Sequence, residues 1–375
     1  MVRCKICGLE SSEIPSRLSI CRNCIIDSFK EEYLNLHKSW RASIGLRESP
    51  KEFDEGIKCN YCVNECIISE GEAGYCGVIV NMEGRITHIS GSLDKAILYC
   101  YLDPIPTNCV AAHICPATTG VGYPNFSVSK GVEYGFYNLA VFFGGCNLDC
   151  IFCQNIEHKY MVVDKKGHDK YYSIDKLFEK AIKDKVTCIC FFGGDPTPHT
   201  LYTLKFSRRI LKYIESKGLV KRLCWETNGL ENPNLFKRIV EYAYKSGGIV
   251  KIDWKAYNPE IYSVLMGIDG YKALNRIKEN VSYALSIDYL ERGYPLLTVS
   301  TLVVPHYIGY DEVYGIASYV AQYDPETPYV LLAFAPHHLM NDIPTTSRRQ
   351  MMECVEAARD AGLKNIHIGN VWLLR

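Results

Sequence analysis

Cys146, Cys150 and Cys153 are the residues in this chain best placed to do chemistry. They follow an apolar, strand-like run, Leu139 to Phe143, inside the short stretch FFGGCNLDCIFCQN that begins at Phe142. A loop this short places three thiolates around one centre. Zinc sites favour paired C-x2-C knuckles over a C-x3-C-x2-C triplet, so the spacing points to an iron–sulfur cluster. A four-iron cubane normally takes four protein thiolates, and three would leave one iron open to another ligand. An open iron implies catalysis.

With the aromatic Phe152 before the last cysteine, the motif resembles the signature of the radical S-adenosylmethionine (radical SAM) superfamily. The segment GGCNLDCIFCQN is most similar to the pyruvate formate-lyase activating-enzyme branch. The resemblance implies a [4Fe-4S] cluster on Cys146, Cys150 and Cys153, with S-adenosyl-L-methionine chelated at the open iron and cleaved reductively to a 5'-deoxyadenosyl radical. It also implies a reduced donor of the flavodoxin or ferredoxin type and a hydrogen-bearing substrate, first of all a backbone glycine of a protein partner, as in glycyl-radical enzyme activation. One alternative is radical modification, such as methylation, of another peptide or a small molecule. Another, of a different class, is a non-catalytic metal scaffold or electron carrier.

These residues need a scaffold, and the chain beyond about residue 136 supplies one. Strands are expected at 137–143, 187–192, 220–226, 249–254, 296–304 and 329–334, with helices near 173–184, 199–217, 233–246, 271–291, 310–323 and 345–361. Several strands are apolar throughout, as when both faces are covered. Right-handed crossovers would curve them into a partial (β/α)6 barrel, an α/β fold with its site at the strand ends. Unusual polar residues do collect there. Gly193-Gly194-Asp195 follows the second strand, Thr227-Asn228-Gly229 the third, and Asp253 and Lys255 the fourth. Two glycines allow close approach of a ligand to the backbone, and a carboxylate can pair with an ammonium group.

In the radical SAM family the first of these positions is usually GGE, which contacts the amino group of the methionine moiety; Asp195 keeps the charge with a shorter reach. The TNG and D-x-K elements line the cosubstrate pocket in that family, although a structural ion pair is the competing reading for Asp253 and Lys255. The segment from Asn258-Pro259-Glu260 to Met266-Gly267 resembles a family turn, and Val304 falls at the fifth-strand end where adenine rests on apolar backbone. His337 and His338 end the sixth strand and could touch substrate or stay as loop histidines. Cys188, Cys190, Cys224 and Cys354 read as core thiols.

Upstream the chain is rich in cysteine. With 18 cysteines in 375 residues and no apolar leader, metal ligation is a better account than disulfides, and a cytoplasmic location is expected. Cys4, Cys7, Cys21 and Cys24 form two C-x2-C knuckles suited to zinc, with iron left open. A helix over 25–48 would connect this zinc-ribbon-like segment (1–48) to a cysteine-rich accessory domain (49–135) and then to the barrel (136–375). Cys59, Cys62, Cys66 and Cys76 form a further metal site, for zinc or a second iron–sulfur cluster. This leader, with Glu72, Gly74, Cys76 and Gly77, resembles that of activating-enzyme-like proteins including the AMMECR1-associated group, as does Asp103-Pro104-Ile105. Residues 78–89 alternate like a hairpin, whereas 94–126 read as an irregular loop. In that loop Cys109 and Cys115 with His113, and with Cys100 as a further candidate, read equally as a metal site or as buried structural thiols.

Lys+Arg and Asp+Glu both number 42, so no global field argues for nucleic acid or an anionic membrane, and no stretch approaches a membrane span.

Overall fold

The computed structural model describes residues 1–50, 55–164, 171–287 and 289–375. The amino-terminal segment carries two-residue strands β1 (Val2–Arg3) and β2 (Glu10–Ser11), then α1 (Arg22–Asp27) and α2 (Asn35–Ser43). The helix expected over 25–48 is thus broken by a 3-10 turn at Glu31–Leu34. Next come β3 (Ile57–Lys58) paired with β4 (Ile67–Ile68), and the expected hairpin, β5 (Ile79–Met82) with β6 (Arg85–His88).

The loop expected over 94–126 is in part a strand. β7 (Lys95–Pro104) runs antiparallel to β8 (Tyr137–Phe143) along seven register pairs, from Leu98–Phe143 to Pro104–Tyr137. Its outer half is exposed, so it lacks the continuous apolar run that marks its neighbours, and its proline falls at the last position, where a missing N–H costs little. A one-turn helix, α3 (Pro116–Thr119), lies in the connection to β8.

The remaining elements alternate: α4 (Glu157–Val163), β9 (Tyr171–Ser173), α5 (Ile174–Ala181), β10 (Val186–Gly193), α6 (Thr200–Lys217), β11 (Arg222–Thr227), α7 (Pro233–Ser246) and β12 (Val250–Asp253). They continue as α8 (Pro259–Met266), α9 (Gly270–Leu285), β13 (Leu297–Val303), α10 (Tyr310–Ala321), β14 (Tyr329–Ala333), α11 (Arg348–Asp360) and β15 (Ile366–Gly369). Local chemistry sets several boundaries. Asn232, Asn258 and Asp269 cap α7, α8 and α9 through side-chain oxygens, Pro233 and Pro259 occupy first-turn positions, and Gly247 and Gly267 close α7 and α8 in the left-handed conformation.

All six expected strands are present, and a seventh parallel strand, β15, follows α11. One nine-stranded sheet runs in the order β15-β14-β13-β12-β11-β10-β8-β7-β9, with β7 antiparallel to both of its neighbours, β8 and β9. Ala140, Cys190, Cys224, Lys251, Leu332 and Ile368, from six different strands, line one cavity, so the sheet curves around it as a partial barrel. The opposite faces meet the helices in a buried core that includes Phe191, Trp225 and Trp254. Among the described residues no helix is long and apolar enough to cross a membrane.

Candidate active site

The cavity measures about 650 Å³ and receives Cys146, Cys150, Cys153 and Phe152 from the loop after β8. Backbone contacts hold that loop from two sides. Asp149 N donates to Met266 O at 2.9 Å and Ile151 N to Leu265 O at 2.9 Å, fixing it on the end of α8. On the other side Gly194 N donates to Phe143 O at 3.0 Å and Asp195 N to Gly145 O at 3.1 Å. A Cβ on Gly194 would stand 2.2 Å from Gly145 O, and one on Gly193, at φ +118°, 2.5 Å from Phe143 N. The glycine pair after β10 is therefore needed for two backbones to touch.

Asp195 ties this junction to the end of β11. Its Oδ1 accepts from Thr197 N at 2.9 Å and Thr227 Oγ1 at 3.1 Å, and also from the Thr197 hydroxyl; Oδ2 accepts from Asn228 N at 2.8 Å. Burial raises its pKa, with the hydrogen bonds from Thr197, Asn228 and Thr227 opposing. Because a carboxylate oxygen accepts about two hydrogen bonds, Oδ2 keeps capacity for one more donor in the cavity. The Asn228 amide is turned onto the cluster loop, Nδ2 donating to Asn147 Oδ1 at 2.7 Å.

Asp253 and Lys255 meet as an ion pair, Oδ2 to Nζ 2.5 Å, and both line the cavity. Burial lowers the Lys255 pKa, but Asp253 and Cys150 outweigh it and hold the ammonium well above its ordinary value. Its Nζ lies 6.0 Å from the Phe152 ring centroid. Val304 is fully buried behind the wall, and Leu302 of β13 is on the lining. His338 packs edge-on against Trp40 at 4.7 Å, and burial lowers its pKa to about 4. Leu339 N donates to Ile151 O at 3.0 Å, so the histidine loop braces the cluster loop and lies outside the cavity lining.

Two features were not legible in the sequence. Asp149, fully buried between two of the three cysteines, meets His37 Nδ1 at 3.0 Å, Arg41 Nη1 at 3.3 Å and the Lys159 ammonium. Burial raises its pKa, yet these partners overcome it and hold the carboxyl well below its ordinary range. Arg41 also donates to Tyr75 O at 2.5 Å and lies 3.6 Å over the Tyr75 ring, so α2 and the residue before Cys76 are joined to the cluster loop through one guanidinium. The second feature is Glu231, fully buried, with Thr227 Oγ1 2.7 Å from its Oε1. Burial first and the Asp195 charge second lift its pKa to about 7.

The cysteine groups separate by geometry. Cys4, Cys7, Cys21 and Cys24 bring their sulfurs within 4.8 Å of one another, the one such cluster of metal-ligating groups among the described residues. Four sulfurs 2.3 Å from one zinc stand about 3.8 Å apart, so this set can hold a single ion. Tyr307 Oη, donating to Ile20 O at 2.7 Å, and Arg22 N, donating to His306 Nε2 at 3.1 Å, dock this knuckle on the segment after β13.

Cys59, Cys62, Cys66 and Cys76 do not converge to single-ion distance. They are nonetheless neighbours: Cys59 N donates to Cys66 O at 2.8 Å, and burial chiefly, then the other thiols, push up the Cys59 and Cys62 pKa values. The cluster-loop triplet likewise surrounds more space than one ion fills, which suits a multi-iron group. Cys100 sits beside Tyr172, apart from Cys109 and Cys115, which line the cavity. The reading of Cys188, Cys190 and Cys224 as core thiols is corrected: all three face the cavity, whereas Cys354 is fully buried in the core. Period-two alternation puts Cys188 and Cys190 on one face, but only sheet curvature says which.

Residues 140–320, just under half of the chain, match the Radical SAM superfamily. Over 320 residues the chain is 23% identical to the uncharacterized protein MJ0808 of Methanocaldococcus jannaschii, covering 85% of this chain and 82% of that one. It is 25% identical over 237 residues to MJ0674 of the same organism, covering 60% of this chain and 61%, under two thirds, of that protein. Among solved structures, a domain of pyruvate-formate lyase-activating enzyme from Bacteroides vulgatus aligns at 17% identity and a TM-score of 0.35, over 48% of this chain and 98% of that domain. Streptococcus suis SuiB bound to S-adenosylmethionine aligns at 15% identity and a TM-score of 0.41, over 61% of this chain and 49% of SuiB.

Proposed function

We propose that the chain is a radical SAM enzyme of the activating-enzyme type, with Cys146, Cys150 and Cys153 holding a [4Fe-4S] cluster. When bound, the cluster and S-adenosylmethionine supply a 5'-deoxyadenosyl radical for hydrogen abstraction. The chain supplies position and environment. Asp195 Oδ2 offers its free acceptor capacity to the cosubstrate ammonium, and Gly193 and Gly194 clear the space beside it. Thr227 and Asn228 hold Asp195 against the cluster loop, and Phe152 with Asp253 and Lys255 borders the rest of the cosubstrate site. Leu302, on the cavity side of the fifth strand, marks its apolar end, with Val304 packed behind it. The buried cations Lys159 and Arg41 exceed the single charge of Asp149 and offset the negative charge of a thiolate-bound cluster.

The observation that carries this reading is the backbone-to-backbone junction of the three-cysteine loop with Gly193-Gly194-Asp195 at one cavity. The substrate proposed first is a backbone glycine of a protein partner, with a flavodoxin or ferredoxin as reductant. Residues 1–48 and 49–135 are proposed as metal-bearing accessories to the barrel at 136–375. Zinc is proposed at Cys4, Cys7, Cys21 and Cys24, supported by their single-ion spacing, and a second cluster at Cys59, Cys62, Cys66 and Cys76, supported by their wider spacing. Anaerobic reconstitution with iron and sulfide, then dithionite and S-adenosylmethionine, tests the enzyme. 5'-Deoxyadenosine is expected from the native chain and not from Cys150→Ala; none from the native chain, or equal amounts from both, refutes it.

A further inference from the structure

The cavity has a second cysteine-lined region that the radical reading does not use. Inward positions of β10 and β11 carry Cys188, Cys190, Arg222 and Cys224, with Cys190 opposite Cys224 in register. These lie nearer the strand starts than Gly193 and Asp195, and the segment before β8 brings Cys109 and Cys115 to the same space. Five thiols therefore share the barrel floor.

Ordinary core packing does not account for them, because a lysine is buried in their midst. Lys251 Nζ lies 2.9 Å from Cys190 Sγ and 3.4 Å from Cys109 Sγ, with its side chain 2% exposed. Its one carboxylate neighbour here, Glu226, is 3.4 Å away and 39% exposed. Burying an ammonium costs several kcal/mol unless anions meet it, and a neutral thiol is only a weak acceptor. Arg222, by contrast, has its anion: Glu133 binds two of its nitrogens at 2.8 and 2.6 Å, which leaves Nε pointing at Cys188 Sγ at 3.1 Å. Both cations look onto sulfur, and Lys251, with only half-exposed Glu226 as a carboxylate neighbour, is compensated by sulfur in the thiolate form, the form that binds metal.

No three of these sulfurs converge within 4.8 Å, too open for the tetrahedron of one zinc ion. We infer that the barrel floor binds an iron–sulfur cluster of its own, with Cys109, Cys190 and Cys224 as central donors, Cys115 and Cys188 beside them, and Lys251 offsetting its negative charge. None of its donors belongs to the loop of Cys146, Cys150 and Cys153, so it stands or falls apart from the radical chemistry. It faces the volume where a substrate would sit.

The test uses the full chain reconstituted anaerobically with iron and sulfide, with iron, zinc and acid-labile sulfide measured per chain. Cys190→Ser/Cys224→Ser is expected to lose about two to four irons and one signal from the dithionite-reduced electron paramagnetic resonance spectrum. Cys146→Ala/Cys150→Ala/Cys153→Ala is expected to keep those irons. Unchanged iron in the floor variant, or zinc in place of the lost iron, overturns the inference. Thiol footprinting of the native chain covers the case in which the floor variant fails to fold. Cys190 and Cys224 are expected to resist N-ethylmaleimide when iron is loaded and to react once a chelator has removed it; equal labelling in both states overturns the assignment.

Discussion

Replacing Asp149 with asparagine is the most direct test of how the cluster loop is held. The carboxylate is fully buried and meets Lys159, Arg41 and His37, whose side chains are 3%, 0% and 2% exposed. Asp149→Asn keeps the volume but leaves two permanent cations without their anion. Removing one partner of a buried pair costs roughly 3–5 kcal/mol, and two stranded cations put this case at the upper end. Against a total stability of about 5–15 kcal/mol, the loss is a large share. Urea unfolding of the native chain and variant at pH 7 measures it. The sign with pH is also fixed. A carboxyl held below its unfolded value of 3.8 contributes stability that is fully present above that value and lost as pH falls through its lower folded pKa. The native chain should therefore lose more stability on acidification than the variant. A difference below about 1 kcal/mol at pH 7, the size of an exposed pair, would refute the account of Asp149 as the anchor.

Further expectations concern the surroundings of Asp195 and the amino-terminal knuckle. Glu231, lifted from 4.5 to about 7, binds its proton more tightly folded than unfolded, so its contribution falls as pH rises between those values, by about 3 kcal/mol in all. Glu231→Gln should flatten that slope in unfolding curves from pH 5 to pH 8, and an unchanged slope would rule out Glu231 as its source. Gly194→Ala puts a methyl 2.2 Å from Gly145 O and 2.6 Å from His158 Cγ, so 5'-deoxyadenosine formation should drop at least about tenfold, from misplacement of reacting groups. A rate within about twofold of native would contradict the close junction. Chelation of the ion proposed at Cys4, Cys7, Cys21 and Cys24 should release one metal per chain and expose residues 1–24 to limited proteolysis, because this small segment has little core of its own. Protection that survives metal loss would argue that docking through Tyr307 and His306 suffices.

What the sequence determined by itself was local. A three-cysteine loop, paired C-x2-C knuckles and apolar runs ending in Gly-Gly-Asp, Thr-Asn-Gly and Asp-x-Lys all act over a few bonds, so their spacing carries their meaning. Several of the six parallel strands were legible for a like reason, since a strand buried on both faces is largely apolar, while β11 and β12 carry inward charged residues. β7 and β15 were not: β7 is long but mostly exposed over its second half, and β15, at the sheet edge, is four half-buried residues. Only the tertiary structure decided what meets across long separations. His37 and Asp149 are 112 positions apart, and Lys251 and Cys109 are 142 apart. No local pattern encodes such pairs. Alternation along β10 puts two cysteines on one face, but the curvature of the whole sheet turns that face toward an open cavity instead of the helices. Thiols that read as packing residues thereby become the lining of the barrel floor, gathered around a buried lysine.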